Sequence, residues 1–218
     1  MSEDLQPART EPLKIGVLIS GSGTNLQALI DAIDEGTLNA QIVIVISSKP
    51  EAKGLLRAQK AGIQTLSLNP GVYENARVAN TLIAEELQRA GAEYVVMAGY
   101  MRKVTEEILH AFPDRVVNLH PALLPSFVGA HAIRDAFESG VKVTGVTVHF
   151  ANEEYDRGPI IAQRAVNIEE EDTLETLEER IHEIEHVILP EVVQLISEGR
   201  VEVRPNRTVH IAKIASVP

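Results

Sequence analysis

The chain contains no cysteine and no tryptophan, and aromatic residues make up only 4% of its 218 residues. The lack of cysteine excludes disulfides, thiolate metal ligands and a cysteine nucleophile. The sequence also lacks an apolar run of the ~20 residues that cross a bilayer, and its first residues lack the apolar segment of a secretory signal. We therefore predict a cytoplasmic protein that does not act at a membrane.

Positive charge is scarce as well, because 31 acidic residues against 20 lysines and arginines give a formal net charge of −11. A field of that sign repels phosphates, so we expect no broad nucleic-acid interface. One small anionic substrate remains compatible with this charge, since a local nest of backbone N–H groups can hold a phosphate. We predict small-molecule partners, and a homodimer is compatible with the sequence.

Apolar runs alternate with helical patterns along the first half of the chain. The predicted strands are Leu13–Ile19, Gln41–Ser47, Ile63–Leu68, Tyr94–Ala98 and Val116–Leu119. The predicted helices between them are Asn25–Ile33, Glu51–Ala61, Tyr73–Ala90 and Glu106–His110. Such alternation is typical of right-handed crossovers in a mainly parallel sheet.

The pattern changes after residue 140. Val143–Phe150 and Ile160–Ile168 are β-rich and lie a loop apart, so we expect them to pair antiparallel. A long helix over Thr173–Ile196, which Pro190 could bend, and a terminal hairpin within Val201–Ile214 follow. The fold class is therefore α/β and Rossmann-like: a mainly parallel twisted sheet with flanking helices and an antiparallel C-terminal part. We predict a flexible tail over residues 1–12 and a single domain over residues 13–218.

The most informative run is Val116–Gly129, in which a strand delivers Asn118 and His120 to its carboxyl end. Residues two apart on a strand share a face, so the two side chains lie together. An amide donor can hold a developing oxyanion, and an imidazole can move a proton near neutral pH. The plainer interpretation of the pair is a capped strand end with a hydrogen-bonded histidine.

Two further turns carry polar residues. Gly21–Asn25 lies between a strand and a helix, where glycines and unpaired N–H groups suit a phosphate or a carboxylate. The run is not a dinucleotide-binding motif, because Leu26 occupies the position of that motif's third glycine. The alternative to an anion site is an ordinary tight turn. The second turn, Tyr155–Pro159, offers Asp156 as a carboxylate that could orient His120.

The remaining histidines give weaker signals. His149 either lines the same cleft or is a hydrogen-bonded core residue, and His110, His131 and His210 have no partner pattern. His182–His186 matches an inverted zinc-protease motif, but its glutamate-rich helix favours a solvated face, and we predict no metal. Glu185 is the exception to this solvated face, because it flanks the apolar face of the helix and could project toward a cleft.

Several spaced motifs together resemble one known family. The matching segments are Ser20–Gln27, Met97–Arg102, Asn118–Pro125, Gly129–His131, Val148–Phe150 and Asp156–Ile160. From about Lys14 to about Gly199 the chain resembles the phosphoribosylglycinamide formyltransferases, a folate-dependent formyltransferase family of purine synthesis. Asn-x-His-Pro with Leu-Leu-Pro and Asp-x-Gly-Pro is specific for enzymes that use formyltetrahydrofolate, and less specific among them.

The resemblance implies a role for each matching residue. The implied catalytic residues are Asn118, His120 and Asp156. The implied substrate ligands are Gly23, Thr24 and Asn25 for a 5′-phosphate and Glu185 for the ribose or glycinamide. The implied pterin pocket is lined by Met101, Arg102, Val104, Asn152, Glu153, Glu154 and Tyr155. The formyl donor would be the co-substrate 10-formyltetrahydrofolate.

The sequence departs from the family pattern at two places. Val128 replaces a proline common in the family's Phe-Pro-Gly turn, which implies a looser loop over the site. The Tyr73–Asn80 stretch lacks an Arg-Glu-x-x-Asp pattern, which leaves contact with the glutamate tail of the folate open.

Three other functions compete with this interpretation. A formyltetrahydrofolate deformylase shares the three catalytic residues but usually carries an N-terminal regulatory domain, and only about a dozen residues precede the first strand here. A methionyl-tRNA formyltransferase typically carries an additional RNA-binding domain, and the negative net charge of this chain disfavours RNA binding. A non-catalytic sugar-phosphate sensor would need the phosphate loop but not the catalytic residues.

Overall fold

In the computed structural model, which describes residues 9–213, strands and helices alternate as the sequence predicts. The strands are β1 (Leu13–Ile19), β2 (Ala40–Ser47), β3 (Thr65–Ser67), β4 (Tyr94–Met97), β5 (Val116–His120), β6 (Val143–Phe150), β7 (Ile160–Asn167), β8 (Val201–Val203) and β9 (Val209–Ile211). The helices are α1 (Thr24–Asp34), α2 (Lys53–Lys60), α3 (Ala76–Arg89), α4 (Glu106–Ala111), α5 (Ala132–Glu138) and α6 (Leu174–Ser197).

Within the described residues, seven strands form one sheet in the order β3-β2-β1-β4-β5-β6-β7. The pairs from β3 to β5 are parallel, whereas β6 runs antiparallel to both β5 and β7. The Rossmann-like fold class and the antiparallel end are therefore confirmed. The strand order reverses between β1 and β4, and such a switch point opens a crevice at the carboxyl ends of the strands.

Helices cover both faces of the sheet, which explains why the central strands are mostly apolar. In β1 every residue except Lys14 is buried. One core joins the sheet to α1, α2 and α6, and a second core joins its other face to α3 and α4. The carboxyl ends of the central strands are thereby held on a rigid platform.

Two helices differ from the sequence prediction. Helix α3 begins at Ala76 rather than at Tyr73, because Pro70–Glu74 forms a separate 3₁₀ turn and the Asn75 side chain accepts a hydrogen bond from the Val78 N–H. Ala76, the first residue of α3, is exposed. Helix α5 was not predicted, since its 7 residues are too few to show a clear helical period.

The predicted C-terminal helix is confirmed as α6, which begins with a capping box between Thr173 and Thr176. Pro190 lies inside α6, and because proline has no N–H the carbonyl of His186 loses its helical donor. The terminal hairpin is confirmed as β8 and β9, and residue 214 lies outside the described residues. Among residues 9–213, no helix has both the length and the apolar character to cross a membrane.

The predicted N-terminal tail is described only in part, since residues 1–8 lie outside the described range. Arg9, the first described residue, makes a bidentate ion pair with Glu93, and both contacts measure 2.8 Å. The division into a tail and one domain stays a prediction.

Candidate active site

Asn118 and His120 lie on β5, which pairs with β4 on one side and β6 on the other. Both backbone edges of the strand are therefore hydrogen-bonded, and this fixes the two side chains on one face. His120 is buried, with only 4% of its surface exposed, and Asn118 is half-buried. His120 therefore lies inside the protein, whereas Asn118 stays partly accessible.

The loop between β6 and β7 brings Asp156 to this pair. Asp156 has a positive φ of 54°, a strained conformation for a residue other than glycine. Its Oδ2 lies 3.4 Å from Nδ1 of His120, and its Oδ1 lies 3.4 Å from Nδ2 of Asn118. The Gly129 N–H donates to the same Oδ2 at 3.0 Å. Every group that faces the carboxylate in these contacts can donate a hydrogen bond to it.

The second ring nitrogen of His120 also faces an acceptor. Nε2 lies 2.8 Å from the carbonyl oxygen of Phe127, a residue with φ of 54°. Both ring nitrogens therefore face an oxygen atom, Nδ1 the Asp156 carboxylate and Nε2 the Phe127 carbonyl. Val128, at the predicted departure from the family turn, follows Phe127 and is 37% exposed.

His149 is buried and is also part of the site. The sequence allowed either a residue of the cleft or a hydrogen-bonded core residue, and each interpretation is correct in part. Its Nδ1 lies 3.0 Å from the carbonyl of Phe150, and its Nε2 lies 3.0 Å from Nδ2 of Asn118. Burial lowers the pKa of His149 and favours the neutral ring. Nδ1 then carries the proton, and Nε2 accepts from the Asn118 amide, which fixes the orientation of that amide.

The glycine-rich loop precedes α1 as the sequence predicts. Gly23 has a φ of 72°, and a Cβ there would lie 2.5 Å from the Cα of Gly54 in α2. Only glycine fits this contact, and it holds the loop close against a second helix. Thr24 is the first residue of α1, so its N–H belongs to the unpaired first turn.

Asn25 and Glu185 are far apart in sequence and in contact in the fold. The Asn25 amide donates from Nδ2 to Oε2 of Glu185 at 3.0 Å. Both side chains are buried, and within the described residues Oδ1 of Asn25 has no hydrogen-bond partner. Burial raises the pKa of the Glu185 carboxyl. The pair connects α1 with α6 directly beside the loop.

A buried hydroxyl links this loop to the segment that follows β4. Ser20 Oγ accepts from the Met101 N–H at 2.8 Å and lies 2.6 Å from Oγ of Ser48. The Met101 side chain is itself 71% exposed. The guanidinium of Arg102 lies over the Tyr73 ring, 5.1 Å from its centre. Arg102 is therefore held by an aromatic residue from the stretch that departs from the family pattern.

The other predicted pocket residues surround the loop that carries Asp156. Val104 is buried and lines a cavity of about 390 Å³ together with Glu153. The residues Asn152, Glu153 and Glu154 line a second cavity of about 360 Å³. Tyr155 is 52% exposed. The two cavities share Glu153, and Tyr155 lines neither of them.

The His182–His186 motif is not arranged like a zinc site. His182 is exposed, His186 is half-buried, and the Glu185 carboxylate between them is bonded to Asn25. Over residues 9–213, no group of three or more potential ligands could hold a metal ion. His110 and His131 are exposed, and His210 is half-buried.

Comparison with known proteins identifies the family. Residues 13–193 match the family model described as formyl transferase. The chain belongs to the formyl transferase family. A phosphoribosylglycinamide formyltransferase of Bacillus subtilis is 41% identical to this formyl transferase over 181 residues, which cover 83% of this chain and 93% of the relative.

Longer relatives and solved structures agree with this assignment. The trifunctional purine biosynthetic protein adenosine-3 of Bos taurus is 44% identical over 193 residues, and the match spans only 19% of that protein. The crystal structure of glycinamide ribonucleotide transformylase 1 from Symbiobacterium toebii superposes with a TM-score of 0.91 at 45% identity. That match covers 98% of this chain and 100% of the other. The resemblance inferred from the motifs is confirmed.

Four residues at the site were not assigned from the sequence. Ser20, Ser48 and Tyr73 gave no signal of their own, because serines at strand ends and a tyrosine in a loop are common. Arg57 of α2 contacts the glycine-rich loop, and only the proximity of α1 and α2 in the fold reveals this contact.

Proposed function

We propose that this formyl transferase moves the formyl group of 10-formyltetrahydrofolate to the amine of 5′-phosphoribosylglycinamide, a step of purine biosynthesis. The observation that carries the proposal is the convergence of Asn118, His120 and Asp156 in a chain that is 41% identical to a phosphoribosylglycinamide formyltransferase. Small molecules are its only expected partners. We also expect cytoplasmic activity without a metal, by a monomer or a homodimer.

The catalytic step we propose is direct transfer. The substrate amine attacks the formyl carbon, a tetrahedral oxyanion forms, and the bond to N10 of the folate then breaks. The amine loses one proton and N10 gains one, by way of His120 or a water. The products are the formamide and tetrahydrofolate, so atoms and charge balance.

The geometry around Asn118 supports its role as an oxyanion donor. One amide hydrogen is held by His149 at 3.0 Å, whereas the contact with Asp156 is long at 3.4 Å. The second hydrogen makes only this long contact, so it stays available to donate to an oxyanion. We propose His120, whose Nδ1 lies 3.4 Å from the Asp156 carboxylate, as the second donor and as the group that moves the proton.

The acceptor site is proposed at the N-terminus of α1. The N–H groups of Gly23, Thr24 and Asn25 would hold the 5′-phosphate at the positive end of the helix dipole. Glu185, bonded to Asn25, would contact the ribose or the glycinamide. On the other side of the switch point, the donor would contact Met101, Arg102, Val104, Asn152, Glu153, Glu154 and Tyr155.

One assay distinguishes the competing functions. Folate absorbance is followed with 10-formyltetrahydrofolate, with and without phosphoribosylglycinamide. We expect release of tetrahydrofolate only when the acceptor is present. Equal release without the acceptor would instead identify a deformylase, and binding of the sugar phosphate without turnover would identify a sensor.

Thr24→Asp should weaken binding of phosphoribosylglycinamide about tenfold or more while the folate binds normally. A carboxylate at the first helical residue competes with the phosphate for the same N–H groups and repels it. Titration calorimetry with each ligand measures the two affinities, and Thr24→Ser is the matched control. An equal loss for both ligands would show that the phosphate does not bind at this loop.

A further inference from the structure

Helix α2 supports the glycine-rich loop from behind through two backbone carbonyls. The Gly21 carbonyl accepts from the Gly54 N–H at 3.1 Å. The Ser22 carbonyl accepts from Nε of Arg57 at 2.9 Å. Two successive peptide groups are therefore tied to the same helix.

These two contacts determine where the loop N–H groups point. In a trans peptide the carbonyl and the following N–H point in opposite directions. Because the carbonyls of Gly21 and Ser22 face α2, the N–H groups of Ser22 and Gly23 are turned away from it. Neither N–H has a hydrogen-bond partner among residues 9–213. Arg57 thus orients a free donor of the proposed phosphate site.

The charge of Arg57 is not neutralised by a paired carboxylate. A groove of about 890 Å³ between α1 and α6 is lined by Thr24, by three arginines (Arg57, Arg164 and Arg200) and by four carboxylates (Asp31, Glu35, Glu191 and Glu198). Arg164 is paired with Glu191 at 2.9 Å and Arg200 with Glu198 at 2.9 Å. Among the described residues Arg57 has no carboxylate within 4.0 Å, and its second contact is Nη1 to Oε1 of Gln27 at 3.1 Å. Its guanidinium retains donors and a net charge beside the loop.

We propose that Arg57 is a positioning residue for the 5′-phosphate of the acceptor, since it orients the Gly23 N–H and supplies a fixed positive charge beside it. The proposal rests on the proposed function and adds a residue from a second helix to the acceptor site. Arg57 acts through the loop backbone, so its effect should depend on the phosphate and not on the transfer chemistry.

The test compares two acceptors that differ only in the phosphate: phosphoribosylglycinamide and its dephosphorylated form. In Arg57→Gln we expect the KM for the phosphorylated acceptor to rise about tenfold or more, with kcat and the KM for the donor close to wild type. The dephosphorylated acceptor should react at the wild-type kcat/KM. Arg57→Lys keeps the charge and should recover part of the loss, and Arg164→Gln, in the same groove, should behave as wild type.

Binding of inorganic phosphate gives a readout that needs no turnover. Phosphate should raise the Tm of the wild-type protein and of Arg164→Gln, but should raise that of Arg57→Gln much less. Equal losses for both acceptors in Arg57→Gln, or an unchanged preference for the phosphorylated one, would overturn the proposal. A wild-type protein that is stabilised by phosphate but transfers no formyl group would contradict the proposed function and leave the role of Arg57 standing.

Discussion

His120→Ala should lower kcat by ~10²–10⁴-fold, because alanine can neither move a proton nor donate to the oxyanion. Steady-state assays with both substrates measure the loss, and titration calorimetry should show that both ligands still bind. The imidazole contacts Asp156 and the Phe127 carbonyl, and no other side chain in the described structure donates at the same point. A variant that kept more than about a tenth of the wild-type rate would contradict the assigned role.

A control is needed because His120 is buried. Removal of its ring leaves the Phe127 carbonyl without this donor and Asp156 with one fewer neighbouring donor, so the alanine variant should also lose about 1–3 kcal/mol of unfolding free energy. His120→Gln retains a donor and most of the volume, and it should restore much of that stability without restoring kcat. A rate that followed stability across the two variants would assign His120 to the fold alone.

Asp156→Asn should leave both substrates bound and slow transfer by orders of magnitude. The carboxylate faces the Gly129 N–H, the Asn118 amide and Nδ1 of His120, all of which can donate. An asparagine amide turns an NH₂ group toward one of these donors and removes the negative charge beside the His120 ring. The pH–rate profile of the variant should therefore differ from that of the wild type.

The matched control for this variant is Asp172→Asn. Asp172 is paired with Arg180 at 2.7 Å near the start of α6, and no ligand is proposed there. We expect this control to keep kcat and both KM values. A near-normal rate in Asp156→Asn would argue against the proposed mechanism. A loss due entirely to weaker folate binding would move Asp156 from the chemistry to the donor pocket.

The fold class followed from local sequence patterns. Continuous apolar runs such as Leu13–Ile19 predict strands buried on both faces, and the regular alternation with helices leaves few topologies. The two-residue period of a strand also placed Asn118 and His120 on one face. Short or interrupted patterns gave the wrong helix boundaries. The 3₁₀ turn Pro70–Glu74 separates Tyr73 from α3 without changing the apolar period, so the sequence did not show where the helix begins.

Contacts between distant segments were decided only by tertiary structure. Asn25 and Glu185 are separated by 160 positions, and no local pattern indicates that they share a hydrogen bond. The same holds for the tautomer of His149, which depends on an amide from a neighbouring strand. From the sequence alone, Arg57 is one basic residue of an amphipathic helix. Its contact with the Ser22 carbonyl exists only because α2 packs against the loop where both Gly23 and Gly54 lack a side chain.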